Sequence, residues 1–323
     1  MFRRRGNRFA DENMRLSITP AGAAVAGLVE TATVAAPPAR RWPLRALGET
    51  LPALPLALFF LAWFVAPFVL LVVISLFDTA EFQALGVRQY AKFFTDGYSL
   101  GVLWDTLELG FLVTAVCLPL AYALGLVYVA GGPHRRTLIL FLIMLPMLTS
   151  AVVRTFAWIV ILGREGIINN TMLALGLWGT PVPLLYTRGG LILALAQIQL
   201  PLMALPVINS LLKLDRNIVD AAEALGASRV RRLWTVIVPL TLPGALAGAL
   251  LVFAASTTAF ITQTLVGGGR IVLMPLNIYQ QAVGVQDWPF AAALSVVFTV
   301  SILVITYFLN VAAQRRMRGV DAA

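Results

Sequence analysis

This sequence has little charge, hardly any cysteine or histidine, and no nucleotide-binding fingerprint. Charged residues make up 12% of the 323 positions, about half the roughly 25% usual in soluble domains. Too little polar surface remains to cover a soluble core, so the chain reads as a membrane protein. The single cysteine, Cys117, excludes a disulfide within the chain and any cysteine-based metal cluster. It is expected to be a small residue facing lipid or core. The single histidine, His134, falls in the turn Gly131-Gly132-Pro133-His134 and is expected to be solvated. One His and one Cys build no Ser-His-Asp or Cys-His set. No Gly-x4-Gly-Lys-Ser/Thr loop is present, and Gly267-Gly268-Gly269-Arg270 lacks its Lys-Ser/Thr. The sequence therefore points away from an enzyme, and no metal or cofactor site is expected on this chain.

Acids are also missing from the middle of the apolar segments. Each Asp and Glu is read as lying in a tail, a loop or the first turn of a helix. Proton- or sodium-coupled carriers often keep an acid within the membrane. Its absence counts against a self-powered carrier, although some carriers hold ions with backbone carbonyls.

What is present is apolar sequence. Six stretches are long enough to span a bilayer, near 51–77, 109–131, 137–162, 189–212, 241–266 and 289–312. The first, Leu51 to Phe77, carries no charge. Lipid-facing backbone must satisfy its own hydrogen bonds, so six helices are expected, an all-α membrane fold. Residues 1–50 are expected to be a basic, disordered tail, 51–315 the six-helix domain, and 316–323 a short terminus.

The net charge of +9 would suggest nucleic acid in a soluble protein. Here the basic residues alternate between connections. Arg3, Arg4, Arg5 and Arg8 lie in the tail, Arg135 and Arg136 after helix 2. Lys213, Arg216, Arg229, Arg231 and Arg232 follow helix 4, and Arg315, Arg316 and Arg318 close the chain. The positive-inside rule then puts both termini and the 213–240 loop in the cytoplasm. This topology uses the charges fully and leaves no nucleic-acid role; the tail's charge can touch anionic lipid heads.

The 213–240 loop is unusually ordered for a connection. Asp215 can cap a helix carrying Ile218, Val219, Ala221, Ala222 and Leu225. Gly226 permits a left-handed turn. Ser228 can cap a second helix with Val230, Leu233, Trp234 and Ile237 on its apolar side. Pro239 and Pro243 mark the entry to helix 5. The pattern alone fits either a docking surface or an amphipathic connector. Gly244 and Gly248, small residues four apart, permit close helix approach in helix 5.

One charge, Arg154, falls deep in an apolar segment and is a functional candidate for that reason. It either snorkels outward or pairs with Asp105 or Glu108 at the expected entry to helix 2. An ion pair is preferred over solute contact. Trp158, Gln197, Gln199, Thr258 and Gln263 are further polar candidates for a solute path, or plain interhelical hydrogen bonders, and Asp105 and Glu108 are candidates for the path or its gate as well.

The stretch Asp220-Ala221-Ala222-x3-Gly226-x9-Val236-x-Val238-Pro239 resembles the EAA loop of ABC-importer permeases. That family's motif is Glu-Ala-Ala, three residues, Gly, nine residues, Ile-x-Leu-Pro. Asp220, Val236 and Val238 depart from it but keep charge sign or aliphatic character at the same spacing. Val153-Arg154-Thr155-Phe156-Ala157-Trp158, the run Leu162 to Asn169, and the run Gln199 to Pro206 are similar to spermidine/putrescine-type permeases. The resemblance implies a type I importer (MetI-like) permease fold in the bacterial inner membrane. It implies a second permease subunit, with a heterodimer expected, two ATPase subunits that use ATP-Mg, and an external binding protein that delivers the solute. It implies that Asp220, Ala221, Ala222, Glu223, Gly226 and Pro239 form the coupling surface. The implied cargo is a polyamine or a related amine or opine. The alternative is an ion-gradient-driven carrier or channel acting without an ATPase.

Overall fold

The computed structural model describes residues 54–79, 81 and 83–320. The tail 1–50 and the last residues, 321–323, lie outside the described residues. The chain divides into two units, Met1–Trp63 and Phe64–Ala323. In the first, α1 (Leu54–Phe60) leads into a π-helical turn. The Phe59 ring packs against Phe60 and Trp63 there.

Among the described residues of the second unit, the regular structure is helical apart from an isolated bridge between Phe77 and Leu85. The helices are α2 (Ala66–Ser75), α3 (Arg88–Thr95), α4 (Gly97–Ala130), α5 (Pro133–Leu148), α6 (Ala151–Leu162) and α7 (Ile167–Ala174). They continue as α8 (Arg188–Leu212), α9 (Arg216–Ala224), α10 (Arg229–Arg232), α11 (Val238–Thr257), α12 (Phe260–Gly267), α13 (Met274–Tyr279) and α14 (Trp288–Val320). Among the described residues, five helices are long and apolar enough to span a membrane, and the bent pair α5 with α6–α7 makes a sixth if counted as one span.

The boundaries correct the sequence reading in three places. Helix 2 starts at Gly97, not near 109, because Asp96 caps it from both carboxylate oxygens. Asp105 and Glu108 therefore lie well inside α4 rather than at its entry. Helix 3 is not continuous. It breaks at Thr149–Ser150, and its halves meet at 101°. Helix 5 begins before Pro243, which sits inside α11. Its helical path runs from Arg229 through a π-turn, Leu233–Ile237, into α11. The wider π ladder stands directly before Pro239, whose ring has no N–H to give. Helix 5 then stops at Thr257 and restarts as α12. The Gln263 amide nitrogen donates to the carbonyls of Ser256 and Thr257 at 2.7 and 3.1 Å, taking up acceptors that the end of α11 leaves free.

The core of this unit is α4 against α8 and α11. Val113, Cys117, Ala121, Leu195, Met203, Val207 and Val252 are buried in it. The small residues Gly244 and Gly248 both face α8, meeting Ser210 with Pro206 and Met203 respectively. Cys117 is core-facing and its thiol donates to the Ala196 carbonyl at 3.3 Å. The Tyr122 hydroxyl meets Thr241 Oγ1 at 2.9 Å, joining α4 to α11. A smaller cluster of Phe93, Met274, Phe290 and Leu294 joins α3, α13 and α14. There the Met274 N–H donates to Thr106 of α4 at 2.8 Å.

The Asp96 cap gives a stability prediction. The Ser99 hydroxyl, 2.6 Å away, leads the interactions that hold this carboxyl below its ordinary value. A lowered folded-state value means that the stabilisation is full above the unfolded-state value. It is lost as pH falls through the folded one. Asp96→Ala is expected to lower the melting temperature of the purified protein at neutral pH. The gap between variant and parent should close in acid. A gap that stays constant across the titration would refute the cap's contribution.

Candidate functional site

Two places gather the polar and small residues that the sequence singled out. The first is the 213–240 loop. Asp215 Oδ1 accepts the Asn217 N–H at 2.9 Å and starts α9. The helix closes through bonds from Leu225, Gly226 and Ala227 N–H to the carbonyls of Ala221, Glu223 and Ala222. Gly226 stands at φ +80°, a left-handed conformation that glycine adopts without steric cost. Ser228 Oγ then accepts the Arg231 N–H at 3.3 Å, and Glu223 pairs with Arg232 across the turn. The result is a stiff helix–turn–helix.

Large apolar side chains of the loop stand exposed among its polar ones. Leu225 is 89% exposed, Val230 67% and Trp234 66%. Apolar side chains left exposed in this way make the loop a candidate interaction surface. Asp220 and Ala221 are exposed beside it, and Ala222 is half-buried. Behind the loop lies a cavity of about 580 Å³, lined by Val219, Asp220 and Ile237 from the loop, and by Arg136 and Leu211 from neighbouring helix ends. Arg136 donates to the carbonyls of Tyr128 and Val129, closing the end of α4. His134 is exposed in the first turn of α5.

The second place is the angle between α5 and α6. A cavity of about 360 Å³ lies there, bounded by Leu145, Pro146 and Thr149 on one side and Arg154 and Trp158 on the other, with Gln197 of α8. Trp158 Nε1 donates to Gln197 Oε1 at 3.1 Å, joining α6 to α8. A smaller cavity of about 140 Å³ shares Pro146 and Gln197. Thr155 meets Thr262 at 3.1 Å, so α6 is also tied to α12.

The structure brings Arg154, Trp158 and Gln197 together and separates them from the acids. Arg154 does not pair with Asp105 or Glu108. Both acids pair with Arg188, at 2.7 and 3.4 Å, where α4 and α8 lie side by side. Arg154 turns instead to the Pro146 carbonyl across the break. Sequence reasoning missed Arg188 because it sits at the very start of helix 4. The signal was two acids at the same end of helix 2. Gln199 is buried on α8 and does not line the cavity. Thr258 is exposed in the break after α11, donating to the Ala254 carbonyl at 2.8 Å. Gln263 is a buried cap rather than a path residue.

Broken helices around a cavity, joined to an exposed helical loop, are features found in membrane transport proteins. The fold matches a bacterial alginate ABC transporter, crystallised with an alginate pentasaccharide-bound periplasmic protein. The TM-score is 0.70 at 18% identity, covering 84% of this chain and 96% of that one. No family model matches the chain. The spermidine/putrescine transport system permease protein PotB of Haemophilus influenzae is 32% identical over 235 residues, 72% of this chain and 82% of the relative. PotB of Escherichia coli is 36% identical over 200 residues, 62% of this chain and 72% of the relative. The chain belongs to the spermidine/putrescine-type permease family of binding-protein-dependent ABC importers. It is a transport subunit, and ATP hydrolysis belongs to a separate subunit.

Proposed function

We propose that this chain is one of two membrane subunits of an inner-membrane importer whose cargo is a polyamine or a closely related small amine. The observation that carries the reading is the 32% identity to a polyamine permease across 82% of that relative's length. The second subunit is a related permease, so the pair is a heterodimer. Two ATPase subunits use ATP-Mg beneath them, and a periplasmic binding protein supplies the solute. The alternating basic connections support cytoplasmic termini. They also support a cytoplasmic 213–240 loop.

That loop is the ATPase contact. Asp220, Ala221 and Ala222 offer small, exposed or half-exposed side chains for close approach. Glu223 and Gly226 hold the turn, and Pro239 stands in the first turn of α11. Closure of the ATPase pair on ATP moves the loop, and α11 and α8 carry the movement to the solute path. Trp158 and Gln197 line that path at the helix break. Asp105 and Glu108, held by Arg188, stand at the opposite end of α4 from the loop.

The test is reconstitution of the four-subunit transporter in proteoliposomes with its binding protein. Spermidine or putrescine loaded on the binding protein should stimulate ATP hydrolysis and be accumulated. The chain alone should do neither. Uptake by this chain alone down an ion gradient would replace the reading with a secondary carrier. Stimulation by a different solute class would leave the importer and correct the cargo.

A further inference from the structure

We infer that Arg154 is a positioning residue that clasps the break in helix 3 and holds open the cavity in its angle. It is not a ligand for the solute. The inference rests on the importer reading but not on any particular cargo.

A guanidinium deep in an apolar segment is costly unless its donors are used. Here one of them is used on backbone. Arg154 Nη1 donates to the Pro146 carbonyl at 2.5 Å. The Thr149 hydroxyl donates to the same oxygen at 2.9 Å, and the Thr149 N–H reaches it at 3.4 Å. In an unbroken helix that carbonyl would take the N–H of Ser150, four residues on. The helix ends at Leu148 and turns by 101°, so three other donors converge on the oxygen instead. Irregular backbone at membrane depth persists only where its polar groups are satisfied by protein or water. Arg154 therefore does for this break what a cap does for a helix end. It reaches back across the bend from the half that it belongs to.

The cavity lies in this same bend. Leu145, Pro146 and Thr149 come from the near side, Ala157, Trp158 and Ile161 from the far side. The angle that Arg154 sets is the angle that separates these walls. The far half is anchored elsewhere, by Trp158 to Gln197 and by Thr155 to Thr262. Across the break, among the described residues, the hydrogen bond from Arg154 is the one that joins a side chain of α6 to the end of α5. The lining residues hold no carboxylate, so Arg154 has no acid there to release. Its Nε is buried without a partner, which leaves a second donor for a carbonyl presented at another bend angle. Releasing the clasp would let the two halves re-angle, a hinge at a few element-terminal residues.

The experiment uses the assembled transporter with Cys117→Ser, in which spin labels are placed on exposed α5 and α6 positions, Leu138 and Val160. Arg154→Met is expected to broaden or shift the label-to-label distance distribution. It should also lower uptake turnover by about tenfold, with KM changing as well, as hinge variants do. Arg154→Lys keeps a donor and should restore a narrow distribution. Uptake lost with an unchanged distance distribution would make Arg154 a solute contact and overturn the clasp. Unchanged uptake and distance together would overturn it too. If Arg154→Met does not assemble, Arg154→Gln, neutral but still a donor, is read by the same two measurements. Failure of the parent to show binding-protein-stimulated ATP hydrolysis would instead sink the importer reading.

Discussion

Gly244→Leu is expected to separate α8 from α11 and to leave little assembled permease. A Cβ at this position would lie 2.1 Å from Ser210 Oγ and 2.4 Å from the Pro206 carbonyl oxygen. The serine can rotate away, but the carbonyl belongs to the backbone of α8 and cannot. Overpacking a close contact costs about 1–3 kcal/mol even where neighbours can shift. Here a larger penalty is expected, since the helix must move as a body. Gly244→Ala should already lower the melting temperature in detergent, and leucine should lower it further. Gly101→Ala is the control, because its Cβ would meet nothing within 4 Å, and alanine favours helix by roughly 1 kcal/mol. A Gly244→Leu protein that melts with the parent would show that α8 and α11 do not pack as described.

Ala222→Trp is expected to abolish transport while the membrane domain stays folded. Ala222 is half-buried on α9, and its carbonyl accepts the Ala227 N–H at 3.0 Å. A Trp there thickens the face proposed to meet the ATPase. An overpacking penalty of about 1–3 kcal/mol at that contact weakens docking by roughly five- to 150-fold. The loss should appear as uptake and binding-protein-stimulated ATP hydrolysis falling together. Asp220→Arg, a charge reversal on the same face, should act in the same direction. Leu225→Asp separates docking from loop folding, because Leu225 is 89% exposed. If all three variants retain full stimulated hydrolysis and uptake, the loop is a connector and the ATPase docks elsewhere.

These two predictions differ in how much of their basis the sequence shows. The loop was readable almost residue by residue. Asp215, Gly226 and Ser228 occupy the cap, left-handed turn and cap positions that their side chains favour. Such preferences are local and survive without tertiary context. The Gly244–Gly248 spacing was readable as a close-approach face, but not which helix it approaches. The partner, α8, is fixed by packing across dozens of residues of intervening chain.

The breaks were not readable. Composition runs apolar from 137 to 162, and hydropathy has no term for direction. Pro146 alone does not end a helix, since Pro119, Pro201 and Pro206 all lie inside continuous ones. What distinguishes Pro146 is that its carbonyl is satisfied by Thr149 at the bend and by Arg154 from beyond it. The same holds after Thr257, where Gln263 takes up the freed carbonyls. The ion pairs followed suit. Asp105 and Glu108 were assigned the wrong cation, because Arg154 is the conspicuous charge in the sequence while Arg188 is the adjacent one in space.

By itself the sequence determined that the chain spans a membrane, where its basic connections fall, and that one connection is a capped helix–turn–helix. Those properties follow from composition and from interactions a few residues long. Only the tertiary structure decided where the spans break, which acid meets which base, and that a cavity opens in the angle of helix 3. Each depends on a polar group finding its partner on a distant segment, and in a medium without water that requirement is strict.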